Sequence, residues 1–485
     1  MKRKVVIGLE IHLQLKTKTK LFCGCSTDYI GATPNTNVCP ICLAVPGTLP
    51  VINDHAVDLA VKMGLGLHCE IQDGTRFHRK HYFYADLPKA YQITQYEHAI
   101  AQGGYLDVIA DGKPKRIRLD HLHLEEDAGK LVHPTADGRL SGAAYSLVDY
   151  NRGGMPLSEI VSMPDMNSPA EAIAYVTQIR QLARYLDVSD GEMESGSLRV
   201  DVNVSLCNPD GSFGTRVELK NINSLKSIER ALEYEIARQN RVLDEGGALV
   251  QETRLWDDAA GVTRSMRSKE GARDYRYYVE MDLAPIDAKP DYVERIRASL
   301  PEMPWDKRDR FMEQYGLSLE ESQQITEQRE MADYYEEMVK AGASAAKAAN
   351  WARMEVQRIL HEESLDITQF PIPAKELGTL VAKVEKRELS NTQAKDVLAA
   401  MFGEKLSLEA AMKKCGAAGG RMTGDALAAV IDKIFTAQPE AVETIKKGAD
   451  KKGAKAKFLQ GLVMRETRGS ADPAEAARLI AEKLK

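Results

Sequence analysis

Four cysteines near the amino terminus are paired in a way that is typical of a metal site. They occur as Cys23-Gly24-Cys25 and Cys39-Pro40-Ile41-Cys42, with thirteen residues between the pairs. Two tight turns of this kind bring four thiolates to the corners of a tetrahedron, which is the geometry of structural zinc sites with no open position. The alternative, four unrelated buried cysteines, leaves the paired spacing unexplained. The spacing therefore predicts a structural zinc site.

A second set of chemically active residues lies where apolar and polar residues alternate. Period-two alternation predicts strands whose polar side chains share one face. The polar members are Glu10, His12, Gln14, His121, His123, Glu125, Arg199, Asp201, Asn203, Arg216, Glu218 and Lys220, and Glu126 and Asp127 follow one of the strands. Carboxylates with Lys and Arg nearby suit a Mg²⁺–phosphate site, whereas a solvated sheet face is the plain alternative. Both interpretations stay open on the residues alone.

Several other kinds of chemistry have no support in the sequence. The chain contains neither a P-loop nor a dinucleotide fingerprint, and it lacks the H-x-x-x-H and H-E-x-x-H patterns of zinc hydrolases. No G-x-S-x-G occurs, and Cys69 and Cys207 have no His nearby in sequence. The sequence therefore offers no nucleophile for covalent acyl transfer.

Composition limits the compartment and the partners. The three cysteines outside the pairs, Cys69, Cys207 and Cys415, make no disulfide framework, which predicts a reducing compartment such as the cytoplasm. The first residues lack the apolar core of a signal peptide, and no apolar run is long enough for a membrane span. The net charge of −6 means that nucleic-acid binding must depend on a local basic patch.

The chain changes character along its length. Up to about residue 285 it is rich in Gly, turn signals and alternating runs, which predicts a mixed α/β or α+β domain. Prolines at 285, 290, 301 and 304 then interrupt regular structure, and the remainder favours helices. Between Lys446 and Arg468 basic residues exceed acidic ones by six. On composition alone this stretch is an ordinary solvated helix face.

At this point the sequence resembles a known family, the B subunits of the tRNA-dependent amidotransferases. Long motifs from several parts of the chain carry the resemblance, which spans the whole chain. They are GLEIHLQLKTKTKLFCGCS, PNTNVCPICLAVPGTLPVIN, FHRKHYFYADLPKAYQITQY, HLEEDAGKLVH, DYNRGGMPLSEIVSMPDM, ESGSLRVDVNVSL and GTRVELKNINSLKSIERALEYEI.

The resemblance implies a domain plan and partners. We expect a mixed-sheet, cradle-shaped catalytic domain with a zinc knuckle over residues 1–292, a helical domain over 293–408 and a helical tail over 409–485. The family phosphorylates the side-chain carboxylate of glutamate on tRNA(Gln) or aspartate on tRNA(Asn) with ATP, and then amidates it. Ammonia comes from an amidase-fold A subunit, and a small C subunit joins the two. Which misacylated tRNA this chain serves stays open, and the alternative function is a zinc-stapled tRNA-binding adaptor without catalysis.

The resemblance also implies roles for individual residues. It assigns magnesium and ATP chemistry to Glu10, His12 and Glu125. Because hard cations prefer oxygen, His12 is expected either to bind the cation or to orient a water or contact phosphate. The zinc knuckle corresponds to Cys23, Cys25, Cys39 and Cys42. Residues expected to line the same cradle are Lys80, Tyr82, Asp190, Glu194, Arg199, Asp201 and Asn203. Because the family binds tRNA, the basic stretch is predicted to contact tRNA phosphates through Lys446, Lys447, Lys451, Lys452, Lys455 and Lys457.

The sequence departs from the family pattern in three places. Ser195 stands where an acidic residue is usual, which leaves the number of metal ligands there open. Val200 and Val202 replace a Cys and an Ala and keep the apolar face of their strand. The E-P-D-L-P expected near the end of the first domain is Glu280-Met281-Asp282-Leu283-Ala284.

Overall fold

The fold is described from a computed structural model. The structure describes residues 3–135, 142–266, 275–417, 422–447, 453–467 and 470–484. The chain divides into two compact units, Met1–Met303 and Pro304–Lys485.

The first unit contains the strands. They are β1 (Val5–Gln14), β2 (Glu70–Ile71), β3 (His78–His81), β4 (Tyr91–Thr94), β5 (Ala101–Gln102), β6 (Tyr105–Ala110), β7 (Lys113–Glu126), β8 (Lys130–Val132), β9 (Leu147–Asp149), β10 (Pro156–Ser162), β11 (Leu198–Leu206), β12 (Val217–Ile222), β13 (Glu252–Asp257), β14 (Val262–Ser265) and β15 (Tyr278–Val279). Its helices are α1 (Asp54–Gly66), α2 (Pro169–Tyr185), α3 (Leu225–Asp244) and α4 (Pro290–Ala298).

One large mixed sheet organises this unit. Its main path runs β14-β13-β12-β11-β1-β10-β7-β4-β3-β15, and β2, β5 and β6 join through β7. β12 and β13 pair in parallel, whereas β1, β10, β11 and β7 pair with their neighbours antiparallel. β8 and β9 form a separate two-stranded sheet. The long strands β1, β7, β10 and β11 therefore lie side by side in the middle of the large sheet.

The alternating sequence explains why this sheet has one apolar and one polar face. Ile7, Leu9, Ile11 and Leu13 of β1 are fully buried, and Val200, Val202 and Val204 of β11 are buried as well. α2 and α3 pack against this part of the sheet, with α2 contacting β1 and β6 and α3 contacting β11 and β12. The helices occupy the apolar face, so the polar side chains of the same strands project from the other face.

The helices of the second unit are shorter and follow one another closely. They are α5 (Pro304–Tyr315), α6 (Leu319–Ile325), α7 (Arg329–Lys340), α8 (Ala345–Trp351), α9 (Gln357–Glu362), α10 (Ala374–Glu385), α11 (Asn391–Glu404), α12 (Leu408–Lys414), α13 (Gly424–Ala437), α14 (Pro439–Lys446), α15 (Ala454–Glu466) and α16 (Pro473–Lys483). A π-helical turn, Ala352–Val356, joins α8 to α9, and a 3₁₀ turn, Ile367–Gln369, precedes α10.

The buried apolar residues of the second unit form two clusters. One runs from Phe311 to Ala417 and the other from Leu427 to Leu484. The prediction of an α+β protein with a mixed sheet followed by helices is confirmed. The division at residues 292 and 408 stays a prediction. Among the described residues, no helix has the length and apolar character needed to cross a membrane.

Candidate functional site

The register of four strands aligns polar side chains in a row across the sheet. His123 of β7 lies opposite Glu159 of β10, which lies opposite His12 of β1, which in turn lies opposite Arg199 of β11. A neighbouring row pairs Glu10 with Asp201. Residues opposite each other on antiparallel strands share a face and have Cβ atoms roughly 4.5–5.5 Å apart. The polar residues predicted from alternation therefore meet on one face of the sheet.

Two carboxylates close around His12. Its Nδ1 lies 3.3 Å from Oε1 of Glu125 and 3.8 Å from Oε2 of Glu159. Glu125 is 4% exposed, and the side chains of Glu159 and His12 are mostly buried. Nδ1 of His12, although close to Glu125, has no hydrogen bond of good geometry. We call His12, Glu125 and Glu159 the central carboxylate group.

A second imidazole reaches the same carboxylates from the β7 side. Nε2 of His123 lies 3.2 Å from Oε2 of Glu159 and 3.7 Å from Oε2 of Glu125. Nδ1 of His123 lies 3.1 Å from Nε2 of His121, whose other ring nitrogen contacts Asp120 at 2.8 Å. The two carboxylates thus lie between His12 and His123.

Glu10, Asp201 and Glu218 form a neighbouring carboxylate group on β1, β11 and β12. The amide nitrogen of Asn203 donates to Oε1 of Glu10 at 2.9 Å. Lys220 forms ion pairs with both Asp201 and Glu218. The alternation of β12 had indicated both Glu218 and Lys220 as residues of the polar face.

Two cations border the central group. Lys80 of β3 lies 5.1 Å from the ring centre of Tyr275 and 5.9 Å from that of Tyr82. Arg199 is paired with Asp127 at 3.0 Å, and its Nε is buried without a hydrogen-bond partner. The nearby Glu125 raises the pKa of Lys80 in spite of its burial, and Asp127 does the same for Arg199. Both side chains therefore carry a positive charge at neutral pH.

The central group balances its charges through the imidazoles. Burial opposes protonation of His12, but Glu159 and Glu125 outweigh it and raise the pKa to about 9. The same carboxylates raise the pKa of His123 to about 10. Burial disfavours ionisation of Glu159, yet the two imidazoles lower its pKa to about 2. Positive charge is thus required among these carboxylates, and a metal that bound His12 would replace its proton, since a ligating imidazole is neutral.

The donor set fits a hard divalent cation. Nδ1 of His12 and Oδ1 of Asn203 are buried and unbonded, and the ligand atoms within each carboxylate group lie within 4.8 Å of one another. Carboxylate oxygens, completed by water, are what Mg²⁺ prefers, and the imidazole nitrogen of His12 is a less usual ligand for it. The residues predicted as magnesium ligands are divided between the two groups, with Glu10 in the second. Glu159 is an additional oxygen donor in the central group.

Tyr82 lies beside the central group, whereas Asp190 and Glu194 belong to the turn before β11. Burial and then Glu125 and Glu126 raise the pKa of Tyr82. Asp190 accepts hydrogen bonds from Ser197 and from the amide of Glu192, and both Asp190 and Glu194 are exposed. The side-chain hydrogen bonds of Asp190 stay within this turn, and its carbonyl accepts one from Arg184 near the end of α2. The predicted part of Asp190 and Glu194 in the cradle is therefore not supported by proximity to the carboxylate groups.

The sequence pattern did not indicate Glu159 as a site residue, although Glu159 lies in the motif DYNRGGMPLSEIVSMPDM. On β10 the same-face neighbours of Glu159 are Leu157 and Val161, both apolar, so no alternation marks a polar face. The available signal was a single charged residue inside a strand that is otherwise uncharged. A charge in such a position requires a buried partner.

The four cysteines also come together as predicted. Their sulfur atoms lie within 4.8 Å of one another, which is suited to a metal ion. Contacts with Cys23 and with the amide of Cys39, which donates to Sγ of Cys42 at 3.2 Å, lower the pKa of the Cys42 thiol, whereas the same contact with Cys42 and burial raise the pKa of Cys23. The spacing of the four sulfur atoms is therefore the feature that suits zinc.

Replacing Cys39 by serine is expected to remove one zinc ligand without reaching the carboxylate groups. The wild-type chain should contain about one zinc per chain, whereas Cys39→Ser should lose most of it and melt several degrees lower. Metal analysis and thermal melting of both proteins check this, with Cys415→Ser in the second unit as the control. A metal-free wild type with an unchanged melting temperature would refute the zinc assignment.

The described part of the basic stretch lies on α14, α15 and the residues beside them. Lys446, Lys447, Lys455 and Lys457 are exposed, and Lys447 pairs with Glu443 one helical turn earlier at 2.6 Å. Phe458 is 47% exposed next to them. Lys451 and Lys452 lie outside the described residues.

Comparison with protein families gives a match for each compact unit. Residues 5–294 match the GatB/GatE catalytic domain, and residues 333–484 match the GatB domain. The first match contains the mixed sheet and both carboxylate groups, and the second contains the basic stretch. The fold and the site thus correspond to a GatB-type catalytic domain followed by a GatB-type helical region.

Full-length relatives extend this result. The chain is 47% identical over 483 residues to the B subunit of the aspartyl/glutamyl-tRNA(Asn/Gln) amidotransferase of Carboxydothermus hydrogenoformans, covering 99% of this chain and 98% of the relative. It is 46% identical over 487 residues to the protein of the same name from Geobacter sulfurreducens, with both chains fully covered. The chain therefore belongs to the family of amidotransferase B subunits.

Proposed function

We propose that this chain activates the side-chain carboxylate of glutamate on tRNA(Gln) or of aspartate on tRNA(Asn) with ATP and then converts it to the amide. The observation that carries the proposal is the buried central carboxylate group with Lys80 and Arg199 at its border. A carboxylate and a triphosphate are both anions, so a site that joins them must supply positive charge in a fixed arrangement. Relatives named as tRNA amidotransferase subunits support the choice of substrate.

The reaction has two bond-making steps. An oxygen of the amino-acid side chain attacks the γ-phosphorus of ATP, an O–P bond forms, and the bond to the β-phosphate oxygen breaks to release ADP. Ammonia then attacks the carbonyl carbon of the acyl phosphate, the bond from that carbon to the phosphate oxygen breaks, and the proton lost by nitrogen passes to the departing phosphate. Both steps develop charge on phosphoryl oxygens, which positioned cations stabilise.

Acidic and basic residues of the site have different proposed roles. Glu10, His12 and Glu125 are the proposed holders of Mg²⁺, with Glu159 able to add a ligand or to keep His12 oriented. Bound there, Mg²⁺ would supply positive charge that reduces the repulsion between the reacting anions. Lys80 and Arg199 are proposed to contact the transferring phosphoryl group. Lys80 is positioned by the ring of Tyr275, and Arg199 by its ion pair with Asp127.

Asp201 and Asn203 act through the same face of the sheet. Asn203 fixes Glu10 by its hydrogen bond, and Asp201 fixes Lys220 by an ion pair. Tyr82, with a phenol held neutral beside Glu125, is proposed to contact the nucleotide together with Lys80. For Asp190 and Glu194, the proposed nucleotide-binding role requires that the turn that contains them approach the nucleotide.

Ammonia must come from a partner. The proposal includes an amidase-fold A subunit that hydrolyses glutamine and a small C subunit, because Cys69 and Cys207 are buried and no described contact pairs either with a histidine. The tail, through its lysines, is proposed to contact phosphates of the misacylated tRNA. A cytoplasmic location stays a prediction.

The isolated chain is expected to hydrolyse no glutamine, because no described contact of its residues pairs a cysteine with a histidine and its sequence contains no G-x-S-x-G. In the complex with its partner subunits it should form Gln-tRNA or Asn-tRNA from the misacylated form, and ammonium chloride should replace glutamine. The measurement is amide formation with each misacylated tRNA, together with ADP release. Amide formation without any ADP release would reject the ATP-dependent step, whereas a complex in which this chain only binds tRNA would favour the adaptor alternative.

A further inference from the structure

Lys20 is a lysine that is fully buried beside the cysteine cluster. Its relative exposure is 0%, which is unusual for a lysine unless its charge has a partner. Its Nζ donates to the carbonyl oxygen of Tyr150 at 3.2 Å and to Sγ of Cys42 at 3.7 Å. Among the described residues no carboxylate forms an ion pair with it. The ammonium therefore faces a sulfur ligand rather than an acid.

The stem of Lys20 fills the space between two chain segments. A Cβ added at Gly154 would meet Cδ of Lys20 at 3.5 Å and Cβ of Cys42 at 3.8 Å, so both side chains pack against the backbone of Gly154. The amide of Lys20 donates to the carbonyl of Cys25, and the amide of Leu21 donates to the carbonyl of Gly154, both at 2.9 Å. Lys20 is thus fixed from both ends, with its ammonium directed at the cluster.

The negative charge of a zinc-bound cysteine cluster explains why a lysine ammonium is favourable beside it. Four thiolates around one Zn²⁺ leave two net negative charges, and removing such charge from water is costly unless it is compensated. Lys89, which lines the same cavity of about 310 Å³, is already paired with Glu126. Arg79 in that cavity is bound to Glu280 and Asp282. Of these three cavity-lining cations, Lys20 is the one that contacts a cysteine sulfur.

We propose that Lys20 is a positioning residue of the metal centre. Its ammonium compensates the negative charge of the zinc-bound thiolate of Cys42 and connects the cysteine cluster to the 150–154 turn. This inference rests on the proposed zinc site. Groups that surround metal ligands in this way commonly alter metal affinity by about 10–100-fold when they are removed.

The attachment has a structural consequence beyond the knuckle. The amide of Gly154 donates to the carbonyl of Asp127 at 2.8 Å, and the amide of Asp127 donates to that of Met155 at 2.9 Å. The 150–154 turn therefore connects directly to the end of β7, which carries Glu125, and to the start of β10, which carries Glu159. The metal centre supports the two strands of the central carboxylate group through this turn.

The test compares zinc affinity in three full-length variants. Lys20→Met removes the charge and the donor, Lys20→Gln removes the charge but keeps an N–H donor, and Lys16→Met makes the same change at an exposed lysine paired with Asp187. Zinc dissociation constants are measured by competition with a chromophoric chelator. Both Lys20 variants are expected to bind zinc about 10–100-fold more weakly than the wild type, and Lys16→Met should match the wild type.

Cobalt substitution separates altered affinity from altered ligands. Sulfur-to-cobalt absorption in the variants should keep its tetrahedral form, which shows that four thiolates still bind the metal. If Lys20→Met does not fold, Lys20→Gln decides the outcome. Wild-type zinc affinity in a folded Lys20 variant would overturn the proposal, whereas absence of zinc from the wild type would instead overturn the zinc site itself.

Discussion

Glu125→Gln is expected to lower amide formation on misacylated tRNA by at least about a hundredfold, as when a ligand of a catalytic metal is lost. The substitution keeps the shape of the side chain but removes the negative charge that faces both His12 and His123. The proposed cation loses a ligand, while the tail that is proposed to bind tRNA is unchanged. Glu159→Gln should act in the same direction, since its carboxylate faces the same two imidazoles.

Steady-state kinetics of the reconstituted complex and a separate tRNA-binding titration measure this effect. Glu70→Gln provides the matched control, because Glu70 is exposed on β2 and its side chain belongs to neither carboxylate group. The control should retain wild-type activity. If Glu125→Gln kept full activity, or lost tRNA binding in proportion to activity, the central carboxylate group would not be the phosphoryl-transfer site.

Removing the tail is expected to weaken tRNA binding at least about tenfold at moderate salt, because basic contacts to phosphates contribute mainly salt-dependent affinity. The cut belongs after Ala417, since Leu408, Ala411 and Ala417 are part of the apolar cluster that begins at Phe311. The KM for misacylated tRNA should rise and the salt dependence of binding should flatten. The KM for ATP should stay close to its wild-type value.

A charge variant of the intact chain controls for the loss of folded structure. Lys446, Lys455 and Lys457, all exposed, are replaced together by glutamine, and Lys383, Lys414 and Lys340 are replaced together as the comparison. The first set should reproduce the flattened salt dependence and the second should not. If the truncated chain bound tRNA normally but no longer used ATP, the tail would have to contain the nucleotide site.

Alternation was sufficient to locate much of the sheet and its polar face. On β1 and β11 each polar residue lies between buried apolar ones, so the strand, its direction of burial and the shared face of His12 and Asp201 all follow from period two. The cysteine cluster followed from spacing because its ligands come from two short turns. These features depend on residues that are close in sequence.

Other features depend on pairing between distant strands, which the local sequence does not determine. Glu159 reaches His12 only because β10 lies between β1 and β7 in one register, and the apolar neighbours of Glu159 conceal its face. Glu218 and Lys220 of β12 likewise reach Asp201 of β11 only through the pairing of the two strands. Asp190 shows the converse, since it is close to β11 in sequence but its side chain forms its hydrogen bonds within a turn.

The pairing of β10 with β7 shifts register between Val161 and Ser162. This shift affects how the protein tolerates insertions and deletions. Loss of one residue between Pro156 and Val161 would exchange the faces of Glu159 and Ile160, because side chains alternate along a strand. One deletion would then remove an acid from the site and place it among apolar side chains. A change in length after Ser162, where β10 ends, would leave Glu159 on its face. We therefore expect a one-residue deletion ahead of Glu159 to remove its carboxylate from the site, and one after Ser162 to leave it there.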